Sequence, residues 1–255
     1  MSGETHELLL PGKTALVTGA AKRIGRAVSL ALAEAGVNVV VHYGGSEEEA
    51  RALAGELQQQ GVQSWLVQAD LGKAEEVEGV IGRCRELAGP VHILINNASI
   101  FPESQLTTFS FEELAESIQV NAFAPLQLAR AMVRGLGAEE HGRIVNFLDA
   151  RITHYDKAHA AYQVSKRALF TLTRMMAVEF APRVTVNGVA PGLILPPPGK
   201  DESYLEALKD RNLLKRIGRL EDITNAVLFL LRSPFVTGQV VFVDGGYGLL
   251  GGVYG

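Results

Sequence analysis

The chain has 255 residues, 47% of them hydrophobic and 20% charged, with a formal net charge of −4. That balance suits a well-buried globular core and, with no basic run, excludes nucleic acid as a partner. No apolar stretch approaches ~18 residues, which excludes a membrane-spanning helix, and the single cysteine, Cys84, can close no internal disulfide. The opening segment MSGETHELLLPGK has no basic region ahead of its three leucines, so it reads as neither signal peptide nor anchor. The expectation is a cytoplasmic protein.

Residues 13–18 (KTALVT) predict a short apolar strand that ends before Gly19. Apolar residues at Ile24, Ala27, Val28, Ala31 and Ala35 then recur on one helical face. Residues 37–43 (VNVVVHY) are continuously apolar and β-branched, as a strand buried on both faces should be. Ser46 with Glu49 makes a capping box for a helix to about residue 60. A strand over 65–69 ends at Asp70, a helix covers 73–88, and a strand over 92–95 leads into Asn96 and Asn97. Ser110 and Glu113 cap a long helix through about residue 134. The strand over 143–148 (RIVNFL) ends at Asp149, and the next helix carries Tyr162 and Lys166 to about residue 180. A strand over 184–189, a proline-rich loop over 191–200, helices over 204–210 and 222–231, and a strand over 239–243 complete the chain. Strands alternating with helices, with no linker between them, predict an α/β fold. The expected architecture is one doubly wound, Rossmann-type domain of seven parallel strands with helices on both faces.

Two stretches carry chemistry. Residues 18–25 (TGAAKRIG) follow the first strand and open a helix, where free backbone N–H groups and the positive helix end suit a dinucleotide pyrophosphate. No acid stands at the end of the second strand, where His42, Tyr43, Gly44, Gly45 and Ser46 occur instead, so nothing there repels a 2′-phosphate. Lys22 and Arg23 could approach such a phosphate, and His42 and Ser46 are further candidates. In the second stretch, Tyr162 and Lys166 stand four apart and share a helix face, so the ammonium is expected to lower the phenol's pKa. Asp149 lies thirteen residues before Tyr162.

These motifs resemble the short-chain dehydrogenase/reductase family: TGxxxxxG at Gly19 and Gly25, NNA at 96–98, Asn121, YxxxK at Tyr162 and Lys166, Pro191-Gly192, and Asp244-Gly245-Gly246 occur in the family's order. The resemblance implies an NADP(H) enzyme in which Tyr162 is the acid and Lys166 binds the nicotinamide ribose. It implies that Asn121 holds a water linking Lys166 to solvent, and that Asp70 meets the adenine unless it merely caps the next helix. Gly19, Lys22, Arg23, Ile24, His42, Tyr43, Ser46, Asp70, Leu71, Asn97, Ala98, Lys166, Pro191, Gly192 and Ile194 are the expected cofactor contacts. A homotetramer is implied by resemblance alone, and no metal site is expected.

Two letters depart from the common family pattern. Arg23 replaces the middle glycine of the phosphate loop, and Asp149 replaces the serine that donates a hydrogen bond to a ketone oxygen. An ionised carboxylate has no proton to donate and opposes a developing oxyanion by roughly 4 kcal/mol at ~4 Å and an effective dielectric of ~20. With Ser99 after Asn97-Ala98, and Phe101 nearby, these departures resemble pteridine reductases. That implies a pterin or folate-like substrate held by Arg23, Ser99, Phe101, Asp149 and Tyr162, with a substrate loop at about 193–210 and Phe101 stacked on the flat ring. A carbonyl reductase such as a 3-oxoacyl-carrier-protein reductase, with Asp149 neutral, is the alternative. A redox-sensing NADP(H)-binding protein without turnover is a second, from another class.

Overall fold

The computed structural model describes residues 9–155, 157–197 and 199–250. The readings of residues 1–8 and of Pro198, the third loop proline, lie outside them. Seven strands form one all-parallel sheet: β1 Thr14–Val17, β2 Asn38–Tyr43, β3 Ser64–Gln68, β4 Ile93–Asn96, β5 Gly142–Phe147, β6 Val184–Pro191 and β7 Val240–Val243. Their order is β3-β2-β1-β4-β5-β6-β7. The chain winds outward in both directions from β1 and β4, which leaves a crevice above their carboxyl ends. In open α/β sheets that reversal is where ligands bind.

The helices are α1 Arg23–Glu34, α2 Glu47–Gln59, α3 Ala74–Glu78, α4 Val80–Ala88, α5 Phe111–Ile118, α6 Ala124–Gly135, α7 Ala160–Phe180, α8 Glu202–Glu206 and α9 Leu220–Arg232. They form a layer on each face. One core cluster joins α1, α2 and α9 to the sheet through residues such as Val28, Leu53 and Val227. The other joins α3, α4, α6 and α7 through residues such as Val80, Leu128 and Met176. The central strands are buried on both faces, so their valine and isoleucine runs show no alternation.

Several boundaries differ from the sequence reading. The helix expected over 73–88 breaks at Gly79 into α3 and α4. The long helix from Ser110 does begin with the expected capping box, but a π turn over Gln119–Phe123 divides α5 from α6. The helix expected over 204–210 is α8 followed by a short 3-10 turn over Lys209–Arg211. Ser46 precedes α2 without a side-chain cap, and Glu49, the expected partner in the capping box, pairs with Lys22 at 2.6 Å instead. Among the described residues no helix is long and apolar enough to cross a membrane, and no cluster of three or more His, Cys, Asp or Glu could hold a metal ion.

Candidate active site

The crevice above β1 and β4 is lined by the segments that leave those strands. Gly19 takes φ +60°, and a Cβ there would come within 3.0 Å of Ala98 Cα. Gly25 is tighter still, since a Cβ would lie 2.2 Å from the Gly19 carbonyl. Both glycines therefore let the two loops close on each other. Asn97 braces them, donating from Nδ2 to the carbonyls of Thr18 (2.9 Å) and Gly19 (3.1 Å). The Thr18 hydroxyl accepts the N–H groups of Asn97 and Ala98. Thr18 was not singled out from the sequence, although a hydroxyl before the loop glycine is a visible signal. Lys22 begins α1 with no side-chain cap, so the first-turn amides remain for an anion.

A cavity of about 690 Å³ extends from this turn, lined by Gly19, His42, Gly44, Gly45, Asp70 and Leu71, with Ala98 and Ser99 opposite. A Cβ at Gly45 would meet nothing within 4 Å, and one at Gly44 would meet only the Ala69 carbonyl at 3.9 Å. Open glycine backbone, an uncapped helix end and the absence of a strand-end acid together fit a phosphorylated dinucleotide. Asp70 is exposed and binds the Gly72 N–H through Oδ1 at 2.9 Å; the residue preceding α3 is Lys73, so Asp70 is not its N-cap.

Three candidates for the 2′-phosphate are engaged elsewhere. Lys22 is held by Glu49. Arg23 donates from Nη2 to the Pro196 carbonyl at 2.6 Å. His42 is 2% exposed, and burial pushes its pKa down to about 4, so it is neutral near pH 7 and offers no cationic charge. Its Nδ1 accepts the Gly19 N–H at 3.2 Å, which makes it a support of the turn. Tyr43 and Ile194 are buried in the core, Ile24 packs on the same cluster, and Gly192 fits closely against Asp244 after Pro191 ends β6. These residues shape the crevice from behind rather than lining the cavity.

The reacting groups meet where β5 ends. The Tyr162 hydroxyl donates to Asp149 Oδ2 at 2.7 Å, and Asp149 Oδ1 accepts the Arg151 N–H at 2.7 Å. Thirteen positions of chain thus bring the carboxylate directly onto the phenol. Lys166, buried on the same helix, donates to the Phe147 carbonyl at 2.8 Å; its ammonium lies 5.7 Å from the centre of the Tyr162 ring. Burial pushes the Lys166 pKa down to about 8, opposed by the charge of Asp149. Burial and then the Asp149 carboxylate hold the Tyr162 phenol well above its ordinary range. This corrects the expectation that Lys166 lowers it: burial is the largest cause and raises it, Asp149 adds to that, and the opposing charge is Arg151, so Tyr162 keeps its proton.

Asn121 is fully buried in the π turn. Its Oδ1 accepts from the Ile100 N–H and the Ser99 hydroxyl, while Nδ2 donates to the Ile100 carbonyl and Ser165 Oγ. Ser165 in turn donates to the Tyr162 carbonyl at 2.7 Å. All four bonds of the amide are used, so the side chain ties the Ser99–Ile100 backbone to α7 and has none left for a water. Ser165, also missed from the sequence, lies three residues past Tyr162 on the same side of the helix, a spacing that could have revealed it.

Phe101, next along that tied segment, meets Tyr162 edge-on at 4.6 Å and 86°. His159 stacks on it at 3.9 Å and 23°, and the Arg151 guanidinium lies 5.0 Å from its centre. Phe101 thus lies beside Tyr162, with His159 stacked on its ring and the Arg151 guanidinium over it, so a flat ligand would have to displace one of the two.

A family model described as enoyl-(acyl carrier protein) reductase matches residues 19–248. The chain is similar to the 3-oxoacyl-[acyl-carrier-protein] reductase FabG of Staphylococcus epidermidis, 35% identical over 92% of this chain and 98% of that one. Among solved structures it resembles the FolM alternative dihydrofolate reductase 1 of Brucella canis complexed with NADP, with TM-score 0.91, 31% identity, and coverage of 96% and 97% of the two chains. It also resembles the promiscuous reductase LugOII, which catalyses a keto-reduction in lugdunomycin biosynthesis, with TM-score 0.87, 32% identity, and coverage of 95% and 100%.

Proposed function

Because the chain belongs to the short-chain dehydrogenase/reductase family, we propose that it is an NADPH-dependent reductase of pteridines, acting on the C=N bond of a dihydropterin or a dihydrofolate-like substrate. The observation that carries this reading is the 2.7 Å contact between Asp149 and Tyr162. In reduction of C=N the nitrogen is basic and takes its proton before the hydride arrives, passing through a cation that a carboxylate stabilises, whereas in reduction of C=O the ketone oxygen becomes negative as the hydride adds. A phenol that retains its proton beside a carboxyl group suits the first task. For the second, the carboxylate repels the developing charge and occupies the phenol's hydrogen bond. The likeness to a structure described as an alternative dihydrofolate reductase supports the same choice.

NADPH, when bound, supplies the hydride. Its phosphates would lie on the α1 terminus and its adenosine in the cavity beside Asp70 and Leu71. Lys166 would hold the nicotinamide ribose. Phe101 would stack on the pterin in place of His159 or Arg151, Ser99 and Arg23 would hydrogen-bond the ligands, and Tyr162 with Asp149 would deliver the proton. A homotetramer would give cover to exposed apolar side chains such as Phe111, Met175, Val178, Phe229 and Phe235.

The carbonyl-reductase reading has its own support in the likeness to FabG, and a direct assay separates the two. Purified protein with NADPH and a dihydropterin is expected to oxidise NADPH and yield the tetrahydropterin. Turnover with a 3-oxoacyl thioester and none with any dihydropterin would assign it to ketones. Failure with every pterin, ketone and imine would favour the non-catalytic, NADP(H)-sensing reading.

A further inference from the structure

Arg23 stands at φ +57°, a left-handed backbone that is strained for a non-glycine residue. Glycine would stand there without strain, so the side chain must return something. It reaches 173 positions along the chain to the Pro196 carbonyl, at 2.6 Å. Among the described residues no carboxylate pairs with it, since neighbouring Glu49 is bound to Lys22.

The partner is chemically apt. Proline has no N–H, so a proline-rich segment offers carbonyl acceptors only, and a guanidinium is purely a donor. The base of the loop is fixed independently: the Gly218 N–H binds the Leu193 carbonyl at 3.0 Å, and Ile194 sits in the core with Ala20 and Ala21. Further out, the loop's hydrogen bonds among described residues include a local turn, Lys200 N–H to the Pro197 carbonyl at 3.0 Å, and the Arg23 contact. Of these two bonds it is the latter that reaches the opposite side of the cleft, one position beyond Leu195, which packs on the core.

We propose that Arg23 is a positioning residue that fastens the substrate loop to the phosphate loop, so that one guanidinium serves both the wall of the substrate site and the cofactor's phosphates. Pro196 uses one of its five N–H donors, leaving four for an anion at the α1 terminus. An anion bound there holds the arginine, and thereby the loop, more firmly, so cofactor binding tightens the substrate wall. This rests on the dinucleotide reading and is independent of the pterin assignment.

Trypsin cleavage after exposed Lys200 reads the loop directly, by mass spectrometry, with and without saturating NADP⁺. Losing a hydrogen bond to a charged donor predicts nicking about tenfold faster in Arg23→Ala and Arg23→Gly, with Arg23→Lys between them and the wild type. NADP⁺ is expected to slow nicking of the wild type and not of Arg23→Gly. Glycine adopts the left-handed backbone freely, so that variant keeps its fold, and its melting temperature checks this. Equal nicking of wild type and Arg23→Gly, with cofactor protection intact in both, would overturn the fastening and leave Arg23 a phosphate ligand only. Faster nicking of Arg23→Gly with no NADP⁺ effect on the wild type would overturn the coupling and count against the cofactor reading itself.

Discussion

Replacing Asp149 by serine is expected to lower kcat/KM for a dihydropterin by about a hundredfold, the lower end of the range for a lost acid–base group, and to raise that for a 3-oxoacyl thioester by tenfold or more. The first effect follows from removing the carboxyl group that touches the Tyr162 hydroxyl. The second follows from replacing a charge that opposes an oxyanion by roughly 4 kcal/mol with a hydroxyl that donates to it. Asp149→Asn separates charge from shape: it keeps the volume and loses the ionisable oxygen, so it should lose pterin turnover as the serine variant does while gaining less on the ketone. Steady-state rates on both substrates at fixed NADPH decide this. Unchanged pterin turnover in either variant would remove Asp149 from the chemistry.

Lys166→Met should trade activity for stability. Turnover is expected to fall by about a thousandfold, because the variant loses the charge that would hold the nicotinamide ribose beside Tyr162. The folded protein should nonetheless melt higher at pH 7, since burial lowers the Lys166 pKa from its ordinary 10.5 to about 8. Between those values the unfolded chain holds the proton and the folded chain does not, so wild-type stability rises with pH across the window. Below about pH 8 both states are protonated and the full cost of the buried charge is present. That cost is at most about 3 kcal/mol, offset by about 1 kcal/mol for the lost bond to Phe147. For a chain of this size the net corresponds to a Tm increase of about 3–6 °C. The gap between variant and wild type should close as pH approaches 10.5. A gap that widens with pH would mean that Lys166 is not penalised by burial.

The sheet was legible because uninterrupted valine and isoleucine runs leave few alternatives to doubly covered parallel strands, and 37–43 and 143–148 lie within a residue of β2 and β5. The positions of Gly19, Asp149 and Tyr162 followed from motif order. What the letters did not carry was the outcome of competition between partners. Ser46 and Glu49 have capping-box spacing, but Glu49 found Lys22, just before α1. Asn121 lies in what reads as continuous helix, yet its amide grips the Ile100 backbone 21 positions away, at a π turn. Lys166 shares a helix face with Tyr162, but burial and a nearer carboxylate set the phenol's proton affinity. His42 has a cation's chemistry in the sequence and a neutral ring's in the fold, because depth decides its charge.

A competition in one vessel weighs the two chemistries against each other most directly: equimolar dihydropterin and 3-oxoacyl thioester, limiting NADPH, and both products counted. The product ratio equals the ratio of kcat/KM values, free of differences in enzyme activity or concentration. A site whose phenol is bound to a carboxyl group should give tetrahydropterin in at least a hundredfold excess. A majority of 3-hydroxyacyl product would contradict it.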